Sequence, residues 1–139
     1  MAIKMRVLYA TGKKKMINVA NLIKAQYTLA FNAVDCIPPA YPCDKERIVI
    51  LAVSAKGNVS DSVRLFCREL TKARAQNVAL MIDGDAAAAD NLKAILAEAG
   101  TNVIDEVHYV KCGLFGSSVT PDEKAQTFAW VDRVVANLK

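Results

Sequence analysis

The stretch that decides the fold is MRVLYATGKKKMIN, residues 5–18. Its apolar start, residues 5–9, is typical of a buried strand. A tight loop follows at residues 10–15, and a helix begins near Met16. This order is the first half of a βαβ unit, and in open α/β sheets ligands bind outside the carboxyl ends of the strands. We therefore expect residues 10–15 to form part of any site. The apolar positions of the helix recur at the spacing of one helical face: Met16, Val19, Ala20, Ile23, Tyr27 and Ala30.

Three later apolar runs predict further buried strands. Residues 47–53 (RIVILAV) are β-branched and do not alternate with polar residues, which is typical of a strand covered on both faces in a parallel sheet. Residues 77–82 and residues 103–110 have a similar character. The helices that follow these strands are predicted at residues 60–75, at residues 86–99 and from the cap Thr120 onward.

Residues 31–37 predict a short edge strand, and the proline-rich segment after it alters the usual connection. Residues 38–42 (PPAYP) favour extended backbone and cannot form a crossover helix. At about 3.3 Å per residue, these five residues span roughly 16 Å when extended, and we expect the extended connector to cross one sheet face. The alternation of strands and helices predicts the α/β class: a doubly wound parallel sheet of five strands in an α/β/α sandwich.

The expected core contains one residue or more from each main element. In the last helix we expect an inward face of Ala125, Phe128, Val131, Val135 and Leu138. The other side chains that we expect to be buried are Leu8, Ile50, Leu51, Met81 and Phe66.

Composition sets the broad class of the protein. The chain has 139 residues, 53% hydrophobic and 23% charged, which predicts one globular domain spanning residues 1–139. No apolar run is long enough for a membrane span, and the first strand leaves no room for a signal peptide, so we expect a cytoplasmic protein. The net charge of +4 favours anionic ligands or acidic partners, and no nucleic acid or membrane partner is expected. The four cysteines lack metal-site spacing, so free thiols are expected.

With these elements in order, the whole chain resembles the flavodoxin-like family. The resemblance implies the strand order 2-1-3-4-5, an FMN cofactor and an electron-transfer or redox role, with a redox partner protein. In that family, hydroxyl side chains and backbone amides of the first loop hold the FMN phosphate. Aligned on this loop, Thr11 keeps one hydroxyl position, whereas Lys13 and Met16 replace the other two and the glycine is displaced to Gly12. Of the aromatic residues that would stack on the flavin, Phe115 and Tyr41 are the candidates.

The predicted site gathers the loops that follow the first, third, fourth and fifth strands. Parallel strands bring these loops to one edge of the sheet, whatever the ligand is. The candidate cofactor-binding residues are Thr11, Gly12, Lys13, Lys14, Lys15, Met16, Ser54, Ala55, Gly57, Asn58, Asp83, Gly84, Cys112, Gly113 and Phe115.

Three motifs near this edge admit more than one interpretation. Lys13–Lys15 is either an anion cradle at a helix N-terminus or a solvated turn. The pair Asp83 and Asp85 fits a turn and helix start better than a metal site, so no metal is predicted. Cys112 is reactive only if its pKa is lowered, and His108 is expected to be structural. Three functions stay open. The first is an FMN-binding redox protein, the second is a flavodoxin-like domain that has lost FMN and binds another phosphate-bearing anion or a protein partner, and the third is a thiol-based or metal-dependent enzyme.

Overall fold

A computed structural model describes residues 3–113 and 116–139. Its elements follow one another in the predicted order, with strands in the core and helices on both faces. None of the described helices is long and apolar enough to cross a bilayer. The strands are β1 (Met5–Ala10), β2 (Val34–Cys36), β3 (Ile48–Ala55), β4 (Asn77–Gly84), β5 (Asn102–Val103) and β6 (His108–Tyr109), and the helices are α1 (Lys14–Gln26), α2 (Asp61–Arg68), α3 (Ala86–Ala99) and α4 (Pro121–Ala136).

All strand pairings in the sheet are parallel, as the sequence predicts. The strand order is β2-β1-β3-β4-β5, and β6 also pairs with β4. The long central strands β3 and β4 are apolar on both faces because each face is covered. One face packs against α2 and α3 through residues such as Leu51 and Leu92, and the other packs against α1 and α4 through residues such as Ile50 and Trp130.

The extended segment between β2 and β3 takes the place of a crossover helix, as predicted, and polar side chains hold it on the sheet. Arg6 of β1 is only 6% exposed, and its Nη1 donates to the Tyr41 carbonyl at 2.7 Å. Asp35 of β2 accepts from the backbone N–H groups of Cys36 and Ala40 at 2.8 and 2.9 Å. These two amide bonds hold the pKa of the Asp35 carboxyl below its usual value. Hydrogen bonds thus help to hold this segment against the sheet, whereas the helices elsewhere in the fold are held by their apolar faces.

The predicted fifth strand, residues 103–110, is divided into β5 and β6, so the sheet has six strands in the described part of the chain. The cause is the contact between this segment and α4. Trp130 Nε1 donates to the Glu106 carbonyl at 3.0 Å, and Arg133 holds the Glu106 carboxylate through two hydrogen bonds. Between β5 and β6, the Ile104 amide still donates to the Val78 carbonyl of β4 at 2.8 Å. The next two carbonyls instead accept from helix side chains, that of Asp105 from Lys93 of α3 and that of Glu106 from Trp130 of α4.

The helix predicted at residues 60–75 ends at Arg68. Beyond it the chain tightens into turns that bury Leu70, which is 1% exposed. The carbonyls of Ala73 and Arg74 accept from the amides of Lys45 and Glu46 at 3.1 and 3.0 Å. These bonds connect the turns to the residues just before β3. The carbonyls that would accept hydrogen bonds within a longer helix therefore accept them from another segment.

Of the predicted inward face of α4, Val131 is buried as expected, but the helix is partly rotated from the predicted orientation. Its buried residues are Thr127, Trp130, Val131 and Val134, whereas Ala125 is exposed and Phe128 is half-buried. Trp130 has no exposed surface, stacks on His108 with ring centroids 5.2 Å apart, and has a partner for its N–H. Burying the largest apolar side chain with its polar atom satisfied decides the rotation. Phe66 is also half-buried, while Leu8, Ile50, Leu51 and Met81 are fully buried as predicted.

Replacing Trp130 by Ala is expected to lower the free energy of unfolding by about 3–5 kcal/mol, because it removes a fully buried ring and leaves a cavity. Phe128→Ala on the same helix is the matched control, and it should cost clearly less because Phe128 is half-buried. Urea denaturation followed by circular dichroism measures both. Equal losses in the two variants would contradict the observed rotation of α4.

Candidate functional site

Four loops meet at the carboxyl edge of the sheet, where β1, β3, β4 and β6 end. The register explains why they meet: Ala10 pairs with Val53, Ser54 with Asp83, and Ile82 with Tyr109. The residues that follow these pairs therefore lie side by side. This is the edge at which open α/β sheets bind ligands.

A chain of hydroxyl groups crosses three strand ends at this edge. Thr11 and Ser54 have their side-chain oxygens 2.5 Å apart, and Ser54 Oγ donates to Asp83 Oδ2 at 2.9 Å. Since the Ser54 proton goes to Asp83, the Thr11 hydroxyl must donate to Ser54. Thr11 Oγ1 also accepts from the Lys13 amide at 2.9 Å. The one hydroxyl that the first loop retains is thus used inside the protein and has no proton left for a ligand.

The Asp85 carboxylate accepts hydrogen bonds from two backbone amides. Its Oδ1 accepts from Ala88 N, which caps α3, and from Gly57 N in the loop after β3, both at 2.9 Å. These bonds lower the pKa of the Asp85 carboxyl. The carboxylate therefore joins two neighbouring loops, in agreement with its interpretation as a helix start. Among the described residues, no group of three or more His, Cys, Asp or Glu side chains could hold a metal ion.

Among the described residues of this edge, those at the N-terminus of α1 favour an anion. Its N-cap residue is Lys13, which makes no side-chain capping bond, and its first turn has no acidic residue. The amides of a first helical turn point outward and carry partial positive charge. Lys14 is exposed and Lys13 is partly exposed beside them. Backbone and side chains here favour the same kind of ligand, a phosphate or carboxylate.

Lys15 has a different role from its two neighbours. Its side chain is 12% exposed, and Nζ donates to Glu123 Oε2 at 2.6 Å and to the Lys111 carbonyl at 2.7 Å. Glu123 also completes the capping box of α4, with its Oε1 accepting from Thr120 N at 3.0 Å. Lys15 therefore joins the start of α1 to the last loop and to α4. The cations that face solvent at this helix end are Lys13 and Lys14.

Two adjoining grooves lie at this edge. The larger, of about 720 Å³, runs over the ends of β3, β4 and β6, and the smaller, of about 300 Å³, lies beside the α1 N-terminus. Lys13 and Cys112 line both, so the grooves are neighbours. Tyr109 lines the larger groove and is 47% exposed. The sequence pattern places Tyr109 within a strand and so did not indicate a site residue, although the last residue of a strand also faces the edge.

Cys112 is not an activated nucleophile in this setting. Burial, and then the negative charge of Asp83, raise the pKa of its thiol to about 11. The thiolate that nucleophilic chemistry needs is therefore scarce near neutral pH. His108 is also internal, with Nε2 2.9 Å from Thr127 Oγ1 and a pKa lowered mainly by burial.

The structure brings most of the predicted site residues to this edge. Met16 is the exception: it is fully buried between α1 and the sheet, so we withdraw it from the candidate set. Tyr41 lies at the opposite, amino-terminal edge, and Phe115 lies outside the described residues. Residues that line one or both grooves are Gly12, Lys13, Lys14, Lys15, Ser54, Ala55, Asp83, Gly84, Cys112 and Gly113; Thr11, Gly57 and Asn58 belong to the same loops.

Comparison with known proteins supports the fold. No family model matches the chain, and no curated protein matches its sequence. Among solved structures, a short-chain flavodoxin associated with a non-canonical PDU bacterial microcompartment is similar, with a TM-score of 0.66 and 15% identity over 98% of each chain. The chain thus has a flavodoxin-like fold, as its sequence predicts.

Replacing Gly84 by Ala is expected to destabilise the protein by about 1–3 kcal/mol or more, since the added Cβ would lie 1.7 Å from the Ala55 carbonyl oxygen. This contact lies in the backbone where β3 and β4 end, so no flexible side chain can move aside. Gly12→Ala is the control, because nothing lies within 4 Å of its added Cβ. Thermal and urea unfolding of both variants measure the difference, and a Gly84→Ala protein as stable as the control would contradict the close approach.

The link from Lys15 to Glu123 predicts a pH dependence of stability. Lys15 and the Thr120 amide lower the pKa of Glu123 from its usual 4.5. A lowered folded-state pKa means that the carboxylate stabilises the fold above about pH 4.5 and loses this effect as the pH falls through the folded-state value. The difference in unfolding free energy between wild type and Glu123→Gln should be full at pH 7 and shrink in acid. Exposed Glu98→Gln is the control, and a pH-independent difference for Glu123 would contradict the link.

Proposed function

We propose that this chain is a flavodoxin-like protein that binds FMN at the carboxyl edge of its sheet and serves a redox role. One observation carries the proposal: the uncapped, lysine-bearing N-terminus of α1 adjoins a groove walled by the exposed ring of Tyr109. An anion site next to a groove that is lined by an aromatic ring suits a ligand with a phosphate at one end and an aromatic ring at the other.

The phosphate end of FMN fits the smaller groove. First-turn amides of α1, together with Lys13 and Lys14, would hold the phosphate. Because the Thr11 hydroxyl donates to Ser54, amides and ammonium groups replace the hydroxyl contacts that the family uses. Lysine acts on a phosphate as a flexible point charge, and salt screens such charges strongly at an exposed site.

The ring of FMN fits the larger groove. Its volume of about 720 Å³ lies within the range of roughly 300–1,000 Å³ in which proteins bind small ligands. Tyr109 would stack on one face of the ring, and the backbone of Ala55 and Gly84 forms part of the wall. When bound, FMN would supply the redox chemistry, and this chain would bind and orient it.

We expect FMN binding to be salt-sensitive. The Lys13→Ala/Lys14→Ala double variant should weaken FMN binding roughly two- to thirtyfold at low salt, because each exposed ion pair contributes about 0.2–1 kcal/mol. Riboflavin, which has the ring and no phosphate, should be little affected. Fluorescence titration of the apoprotein with FMN and with riboflavin, at low and at high salt, measures both effects.

The matched control is the Lys72→Ala/Arg74→Ala double variant, which also removes two positive charges, from exposed positions outside both grooves. Tyr109→Ala should weaken FMN and riboflavin alike by roughly two- to tenfold, and Tyr109→Phe should weaken neither. An FMN affinity that is unchanged by salt and by both lysine substitutions would overturn the proposed phosphate site. No binding of either flavin would overturn the FMN proposal itself.

The Thr11 hydroxyl is fully used by hydrogen bonds within the protein, and this favours a second candidate function. In it, the edge binds another phosphate-bearing anion, or an acidic protein surface, without flavin. A site that relies on amides and lysines is less selective for FMN than one lined by hydroxyl groups. AMP, used as a phosphate-bearing probe in the same titration, separates the two candidates. AMP binding that depends on Lys13 and Lys14, without flavin binding, would favour the second.

A further inference from the structure

A further groove lies at the opposite end of the strands, where β1 and β3 begin. It has a volume of about 490 Å³ and is bounded by the start of β1, by the turn after α1 and by the extended segment before β3. Its apolar lining includes Ile3, Leu29, Tyr41 and Pro42. The ring of Tyr41 is 63% exposed beside it. This groove is separate from the proposed FMN site, and nothing said of that site depends on it.

Two buried side chains of opposite charge line this groove, and each has one atom that pairs with none of the described residues. Arg6 and Glu46 are both 6% exposed. Arg6 Nη1 donates to the Tyr41 carbonyl, whereas Nη2 is buried and makes no hydrogen bond to residues 3–113 or 116–139. Glu46 Oε1 lies 3.7 Å from Lys4 Nζ, whereas Oε2 is buried and accepts no hydrogen bond within the same ranges. Buried charged groups normally have all their polar atoms paired, so this arrangement is incomplete.

We propose that this groove binds a free amino acid with an apolar side chain. The signs of the two unpaired atoms select the ligand. A simple anion would satisfy Arg6 and face repulsion from Glu46, and a simple cation would do the reverse. A zwitterion offers its carboxylate to Arg6 Nη2 and its ammonium group to Glu46 Oε2, and its side chain then packs against Leu29, Tyr41 and Pro42.

Entry of the ligand requires Lys4 to move. Neither unpaired atom reaches solvent, and Lys4, whose side chain is 57% exposed, lies against Glu46 and also donates to the Asp44 carbonyl. The ligand's ammonium group would compete with that of Lys4 for the same carboxylate. Breaking an exposed ion pair of lysine costs little free energy, because water solvates the released ammonium group. A ligand that also pairs with Arg6 can therefore displace Lys4 from Glu46.

The experiment is a titration of ¹⁵N-labelled protein with L-leucine, followed by amide chemical shifts. We expect saturable shifts confined to residues 3–6, 28–33 and 41–46. N-acetyl-leucine lacks the ammonium group, leucinamide lacks the carboxylate, and N-acetyl-leucinamide is neutral. Each analogue should bind at least roughly tenfold more weakly than L-leucine, since each leaves one or both buried charges unpaired.

Glu46→Gln should weaken L-leucine binding by a similar factor. Asp44→Asn is the matched control, because it removes a carboxylate from the exposed rim of the same groove and should leave binding unchanged. Absence of saturable shifts, equal binding of the neutral analogue, or full binding by Glu46→Gln would each overturn the proposal. If circular dichroism shows that Glu46→Gln does not fold, the analogue series on the wild-type protein decides alone.

Discussion

The parallel register of β1, β3 and β4 is the constraint on which the rest of the structure depends. It sets Val53 beside Ala10 and Asp83 beside Ser54, so the residues just past the strands meet at one edge. The bonds from Thr11 to Ser54 and from Ser54 to Asp83 are possible only in this register. A slip of one residue would turn the buried faces of three strands towards the wrong helices, which the apolar side chains on both faces prevent.

Charges at the carboxyl edge are divided between internal and external use. Asp83 and Asp85 accept hydrogen bonds from Ser54, Gly57 and Ala88, so both carboxylates are used by the protein itself. Lys13 and Lys14 stay beside the uncapped end of α1. The groups that remain available, the two lysines and the helix amides, all carry positive charge or partial positive charge. For this reason the edge is better suited to a phosphate-bearing ligand than to a metal ion.

The missing helix between β2 and β3 has a consequence at the other end of the sheet. An apolar helix would cover the face of β1 with side chains that need no partners. The extended segment covers it partly with the side chains of Ile37 and Cys43 and partly with backbone, whose Tyr41 carbonyl accepts from Arg6 Nη1. The guanidinium group of Arg6 has a second amino group, Nη2, which is buried as well. Glu46 is buried in the wall of the same groove. Replacing a helix by extended chain thus introduces unpaired polar atoms that a fully apolar face would lack.

The sequence by itself determined the fold class, the order of the elements and the edge at which the loops meet, because uninterrupted apolar runs and helix caps such as Thr120 and Gly100 are local signals. Tertiary structure decided the rest. The face that α4 buries follows from Trp130 reaching the Glu106 carbonyl, a contact between distant segments. The separate role of Lys15, the internal use of the Thr11 hydroxyl and the exposure of Tyr109 also depend on neighbours from other strands and helices. Residue types along a chain do not reveal such partners, because hydrogen bonds and burial are properties of pairs of segments brought together by folding.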